Sequence, residues 1–390
     1  MQPVEHRHDT ERLRVLALGP VPPPYHGVAT YLRELLCSSE LPGLGIDLQH
    51  IDTSDRRDAS NLGRWDAENL SLGFSHLAEL AERCARTDAP IVYLPLSQNV
   101  AAFLRDALFI LQSRLMGKQV VIHLHGGYFR TLYEQQGAAF KAIARAALSQ
   151  VAGAVVLGED FRGIFAGLIP EERVFVVENG VPDLFAAHPP EHPLTDRTRA
   201  TLLYMSTLTQ TKGILELLRA LSLLRAARPQ LDVRLRVAGE FQEPALKAVT
   251  FDLIQQLQLF ACVSFVGNIS GADKETFLRS GDIFCLSTRY PYEGQPLVLL
   301  EALSAGLPIV TTDRGVIAST VIDNVNGRVL PEDAPPEDLA DALARLLDDR
   351  ERMQEMGRNG RQRYLRNYTL HVCHSNLAQV FRAVRLFAAR

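Results

Sequence analysis

Seven residues separate Glu293 from Glu301 in the run Ser287-Thr-Arg-Tyr-Pro-Tyr-Glu-Gly-Gln-Pro-Leu-Val-Leu-Leu-Glu-Ala-Leu-Ser-Ala-Gly306. Pro296 has no N–H to leave unsatisfied and suits the first position of a helix. Gly306 suits its C-terminal stop, so the run predicts a helix over 296–305. Glu293 then sits in the turn before the helix and Glu301 just over a turn inside it. The N–H groups from Gly294 to Val298 face one anion site. A diphosphate fits there, with a carboxylate on each side to accept hydrogen bonds from sugar hydroxyls. A plain capped helix with a solvated Glu301 fits the spacing as well, and spacing alone does not separate the two.

Lys212 offers the complementary charge. It follows the apolar run Leu202–Met205 and precedes a helical stretch from Gly213, where an ammonium could hold a phosphate as a point charge or simply meet solvent. Most of the 41 basic residues are arginine, so lysine is scarce in this chain. In the first half, Gly19-Pro-Val-Pro-Pro-Pro-Tyr-His-Gly27 joins a strand to a helix. Backbone at Gly27 could approach a ligand closely there, or the prolines could only stiffen a turn. His123 and His125 share one face of a strand end, a spacing open to a metal pair, but no third ligand is evident.

The elements that must position these residues alternate regularly. Short, nearly continuous apolar runs occur at 13–18, 91–94, 120–124, 154–157 and 174–177. They recur at 202–205, 233–237, 263–266, 283–286 and 307–310. Such runs mark strands buried on both faces of a parallel sheet, and the stretches between them read as helices. Val28, Leu32, Leu35 and Leu36 form one helical stripe. Three prolines in FAAHPPEHPLTDRTR break the pattern over 185–199, which predicts a linker between domains 1–185 and 200–369. At 390 residues the chain is an α/β protein of two doubly wound domains, with ligands expected beyond the carboxyl ends of the strands. A net charge of −4 excludes the basic footprint of a nucleic-acid binder. Five scattered cysteines (Cys37, Cys84, Cys262, Cys285 and Cys373) suit a reducing compartment. The polar first residues lack a secretory pattern, and no window approaches 18 uninterrupted apolar residues. These features lead to the expectation of a cytoplasmic protein.

The E-x7-E spacing within YEGQPLVLLEALSAG resembles the retaining GT-B glycosyltransferases of family 4. The resemblance runs along nearly the whole chain, through GPVPPPYHGVATYLREL, HLHGG at 123–127, ENGV at 178–181, TKG at 211–213, VAGE at 237–240 and FVGNIS at 265–270. Glu293-Gly-Gln-Pro296 looks like the subgroup common in bacterial surface-polysaccharide assembly. The resemblance implies two Rossmann-like domains facing across a cleft, with a C-terminal helix over 370–390 packing back on the first. It implies a nucleotide-sugar donor, UDP- or GDP-linked, an acceptor hydroxyl on a saccharide or lipid-linked saccharide, and no cofactor or metal. Glu293, Gly294 and Gln295 would meet the donor sugar, Glu301 the ribose, Leu297 and Val298 the diphosphate through their N–H groups, and Lys212 the β-phosphate. Backbone at Gly27 would also approach the diphosphate or acceptor. His125 would lie near the reacting sugar, with His26, Arg130 and Tyr133 on the acceptor side. Glu178-Asn-Gly180 reads as a hinge-side turn. Thr207 stands where many members carry an arginine, and a hydroxyl cannot replace a bidentate guanidinium. Either Arg289 or Arg314 supplies that charge, or Lys212 and the helix N-terminus suffice.

Other classes fit less well. No G-x-G-x-x-G follows the first strand, against a dinucleotide-dependent oxidoreductase. A sugar-nucleotide epimerase of the same fold has no motif in its favour. A catalytically silent partner protein is kept open by Thr207 and opposed by intact Glu293, Glu301 and Lys212. The segment 101–118 mixes apolar residues with Arg105, Arg114 and Lys118, which suits either peripheral contact with the inner membrane or a core-packing helix.

Overall fold

The computed structural model describes residues 12–23, 27–54, 56, 67–190 and 198–388. The chain divides into two compact units, Met1–Val177 with Cys373–Arg390, and Glu178–Val372. In the first, β1 (Leu13–Gly19), β2 (Ile46–Asp52), β3 (Ile91–Pro95), β4 (Gln119–His123), β5 (Gly153–Val156) and β6 (Val174–Val176) form one parallel sheet in the order β2-β1-β3-β4-β5-β6. In the second, β7 (Arg199–Met205), β8 (Asp232–Ala238), β9 (Val263–Gly267), β10 (Ile283–Leu286), β11 (Ile309–Thr312) and β12 (Gly327–Leu330) form another, ordered β12-β11-β10-β7-β8-β9. Helices join successive strands, so this is a GT-B architecture of two doubly wound sheets.

Burial explains why the central strands were legible, although the edge strand β9, with no buried residue, was expected from its sequence as well. Every residue of β5, β10 and β11 is buried, as central strands covered on both faces must be. The edge strands β2 and β12 were not expected from the sequence. Only the first and sixth residues of β2 are buried and only the ends of β12, so neither shows a continuous apolar run.

The linker expected over 185–199 corrects to an earlier division. Val181 N–H donates to the Tyr368 carbonyl (3.0 Å) and Tyr364 Oη donates to the Val181 carbonyl (3.0 Å). Arg361 donates to Asp183 (2.7 Å), and Phe185 is fully buried in the second core. The chain is therefore fastened to the second unit well before the prolines, and residues 191–197 lie outside the described residues. The last helix, Leu370–Ala388, belongs to the first unit from Cys373 onward. Its Leu377, Phe381 and Val384 are fully buried with Val15, Tyr93 and Val155, and the Phe381 ring meets Tyr93 edge-on at 5.6 Å.

In each sheet the order reverses between two neighbouring strands, β1/β3 and β7/β10. Loops leaving the carboxyl ends there run to opposite sides and open a crevice. Phe381→Ala should lower the unfolding free energy by about 3–5 kcal/mol, read from a urea titration, because the C-terminal helix is core rather than tail.

Candidate functional site

The second crevice is built from the segments that follow β7 and β10. Beyond β7 a single turn, Gln210–Lys212, runs into Gly213 and the helix Ile214–Ala227. Beyond β10 the chain continues through Ser287 to Pro296 and the helix Leu297–Ser304. The two segments lie on each other. Arg289 N–H donates to the Thr211 carbonyl (2.7 Å) and Ser287 Oγ to the Gly213 carbonyl (2.8 Å), while Tyr204 Oη, from β7 itself, donates to the Lys212 carbonyl (2.9 Å). Gly213 has φ of +80°, and a Cβ there would stand 1.9 Å from the Ser287 carbonyl oxygen. Only glycine fits both the dihedral and the approach. Gly315 plays the same part opposite Glu293, with φ of +57° and a Cβ position 1.9 Å from the Glu293 carbonyl oxygen.

This scaffold brings Lys212 onto Glu293. Lys212 Nζ donates to both carboxylate oxygens, at 2.8 and 2.6 Å. Thr288 Oγ1 donates to Glu293 Oε2 at 2.8 Å, and the Tyr290 ring lies 5.2 Å from the ammonium. The Lys212 and Glu293 side chains are 21% and 9% exposed, so the pair is largely withdrawn from water but open on one side.

Pro296 is the residue before the helix rather than its first, with an extended ψ of 119°. The first amides inside are thus those of Leu297 and Val298, which have no carbonyl four residues back within the helix. Gly306 closes the helix in the left-handed region. Glu301 lies on the same helix and accepts a hydrogen bond from Lys274 Nζ at 2.7 Å, again largely buried. Sequence reasoning missed Lys274, Thr288 and Gly315. The scarcity of lysine was the available signal for the first of these.

The Gln295 side chain is taken up within the protein, which leaves its main-chain N–H as the group for a ligand. Its Oε1 accepts from Asn179 N–H (2.6 Å), its carbonyl from Asn179 Nδ2 (3.1 Å), and its Nε2 donates to Thr320 Oγ1 (3.0 Å). Both Gln295 and Asn179 are 4% exposed. The side chain holds the loop to the turn at Glu178–Asn179, where burial raises the Glu178 carboxyl above its ordinary range. Thr207 is exposed. Neither arginine considered as its substitute is unengaged: Arg314 pairs with Glu332 and Asp333, and Arg289 donates to the Ala334 carbonyl with Glu216 at 3.8 Å.

In the first unit, Gly27 opens the helix Gly27–Leu36, and a Cβ there would meet no described atom within 4 Å. Packing among the described residues therefore does not require a glycine at that position. His26 lies outside the described residues. The His123 and His125 rings stack at 3.9 Å. Tyr93 Oη lies 2.7 Å from His123 Nδ1, whereas Nε2 of each histidine is buried without a partner among the described residues. Burial holds His123 well below the usual histidine range and pushes His125 down to about 3, so both rings are neutral. Arg130 pairs with Glu134 (2.6 Å) and donates to the Ala166 carbonyl (2.9 Å). Tyr133 is only 7% exposed, with the Lys141 ammonium 5.8 Å from its ring.

Residues 190–363 match the family Glycosyl transferases group 1. That match falls wholly within the second unit. The chain is 30% identical to a glycogen synthase of Mycobacterium tuberculosis over 215 residues, 55% of this chain and 49% of that protein. It thus spans about half the length of that relative. A glycosyltransferase from Rickettsia africae has the same fold (TM-score 0.77, 17% identity, 96% of this chain and 99% of that one). So does the Anabaena HepE protein in complex with UDP and glucose (TM-score 0.69, 17% identity, 95% and 100%).

Gly213→Ala should lower stability by about 2 kcal/mol or more in a urea titration, since both dihedral and contact oppose it. The histidines predict a pH dependence. Their folded pKa values lie below the unfolded value near 6.5, so the unfolded chain binds the extra protons. The stability that this neutral pair contributes is complete above about pH 6.5 and falls by about 1.4 kcal/mol per pH unit per histidine below it. His125→Asn should flatten the acid limb of a stability-versus-pH curve by about one proton's slope.

Proposed function

We propose that the chain transfers a glycosyl group from a UDP- or GDP-linked sugar to an acceptor hydroxyl, with retention at the anomeric carbon and without a metal ion. The observation that carries this reading is Lys212 and Glu293 meeting at a strand-order reversal beside the N-terminus of the helix Leu297–Ser304. Cation, carboxylate and unpaired amides are what a sugar diphosphate requires, and crevices of this kind are where doubly wound sheets bind ligands. The group 1 match and the likeness to a fold that holds UDP and glucose in HepE support the same assignment.

In this reading Leu297 and Val298 donate to the diphosphate, Lys212 meets the β-phosphate, Glu293 and the Gly294 amide hold sugar hydroxyls, and Glu301 the ribose. In the first unit His125, neutral and with Nε2 lacking a partner among the described residues, is assigned to a sugar hydroxyl. The bond from the anomeric carbon to the diphosphate oxygen breaks while the acceptor oxygen bonds to the same face, and the departing diphosphate takes the acceptor proton. No enzyme nucleophile is needed. Lys212 and the helix amides stabilise the charge that grows on the leaving group, which lowers the barrier because the interaction is stronger in the transition state. The acceptor is assigned as a lipid-linked saccharide of surface-polysaccharide synthesis on the cytoplasmic side. Peripheral attachment through the helix Val100–Leu115 is the part that side chains support least. Arg105 pairs with buried Asp106 (2.9 Å), Arg114 donates to the Lys118 carbonyl (2.9 Å), and Lys118 Nζ to the Thr87 carbonyl (2.9 Å).

A screen of UDP- and GDP-sugars with a lipid-linked saccharide acceptor, read by nucleotide release, should give acceptor-dependent turnover that survives EDTA and forms an α-linkage by NMR. Lys212→Ala should reduce kcat by about a hundredfold or more. Release that is absent with every donor, or unchanged in Lys212→Ala, would count against the assignment, and loss in EDTA would remove the metal-free mechanism. Protein that fails to float with anionic vesicles would remove the membrane contact.

A further inference from the structure

We propose that the Lys212–Glu293 ion pair makes the site selective for diphosphate-linked ligands: Glu293 becomes available to a sugar hydroxyl only when an incoming phosphate takes over Lys212. The inference rests on the donor-site reading above and concerns how that site rejects partial ligands. Lys212 has three N–H donors, and Glu293 Oε1 and Oε2 receive hydrogen bonds from its ammonium at 2.8 and 2.6 Å. A free sugar brings only neutral hydroxyls, so displacing the ammonium from Glu293 would leave a largely buried Lys212 without its counter-charge. A phosphate instead offers the ammonium another anion, so charge is exchanged rather than stranded. The carboxylate cannot follow the lysine. Thr288, fully buried, keeps its hydroxyl on Glu293 Oε2 (2.8 Å) and accepts from Tyr290 N–H (3.3 Å). The Gly315 contact holds the Glu293 backbone from behind. Once Lys212 turns to phosphate, Glu293 stays in place with a vacated acceptor position, and a sugar hydroxyl fills it. Two of the five lysines in the chain pair with the two glutamates of the E-x7-E run. A flexible ammonium suits such an exchange better than a rigid guanidinium fork.

The test is calorimetric titration of UDP, GDP, ADP and dTDP, none carrying a sugar, into the full chain and its variants. Lys212→Ala should weaken the nucleotide that binds best by about tenfold or more. Glu293→Gln should tighten it by about tenfold, although it abolishes turnover, because Lys212 is no longer held. Glu293→Asp, one methylene shorter and still charged, should also tighten binding, which removal of a repulsive charge does not predict. In a Lys212→Ala background neither Glu293 substitution should have any effect. If no nucleotide binds, or Lys212→Ala changes nothing, the donor-site reading fails and the exchange with it. If Lys212→Ala weakens binding but the Glu293 variants do not tighten it, the exchange alone is overturned. Tightening that persists without Lys212 overturns it too, as simple loss of repulsion. Thermal melts of each variant separate these outcomes from misfolding.

Discussion

The site depends on how closely two stretches of backbone can approach at the carboxyl edge of the second sheet. The segments after β7 and β10 leave neighbouring strands, and they meet only because Gly213 has no side chain to strike the Ser287 carbonyl. Two hydrogen bonds then lock the contact, to the carbonyls of Thr211 and Gly213, and Tyr204 of β7 holds the Lys212 carbonyl between them. With its backbone held on consecutive residues, Lys212 has little freedom except along its own side chain. Its ammonium therefore arrives at Glu293 by geometry, not by a search through loop conformations. The positive φ at Gly213 also starts the helix Ile214–Ala227, which covers this face of the sheet. One glycine thus joins the fold to the chemistry.

Two acidic residues beside a proposed diphosphate pose an electrostatic problem, and the fold answers it in the same way twice. Each carboxylate is largely buried, and each meets a lysine at 2.6 or 2.7 Å. Burying one charge alone is costly, whereas a partly exposed pair offsets much of that cost. The first unit solves the opposite problem. Its stacked histidines have no counter-charge among the described residues, and burial holds them neutral. The two units therefore offer different chemistry: mobile charge in the second, and uncharged hydrogen-bonding rings in the first.

Much of this was legible in the sequence, and the exceptions share a cause. The central strands were readable because burial on both faces leaves a continuous apolar run, while β2 and β12, at sheet edges, leave none. The helix after Glu293 was readable from Pro296 and Gly306, although Pro296 precedes it. The anchoring of the Gln295 side chain was not. Local spacing puts it next to Glu293, but the partner of its side chain, Asn179, lies 116 positions away. The domain boundary failed similarly. Prolines mark where regular structure stops, whereas Val181, Asp183 and Phe185 decide where the chain becomes attached. Lys274 faces Glu301 across 27 positions, and only its rarity as a lysine could have flagged it.

The E-x7-E run shows how one spacing can serve two unlike tasks. Glu293 lies before the helix, so its carboxylate is set by loop contacts: Thr288 at its oxygen and Gly315 behind its carbonyl. Glu301 lies within the helix, so its position follows from helical geometry and from Lys274 on the neighbouring helix. Helical geometry is stiff, while a loop residue can exchange one partner for another without moving its neighbours. A ligand that replaces contacts already made gains less affinity than one that fills an empty site, because each new interaction is offset by one lost. In return, any ligand lacking one of the matching groups leaves a buried charge unpaired. That penalty is steeper than the loss of a contact. A site already paired within itself therefore favours discrimination over tight binding.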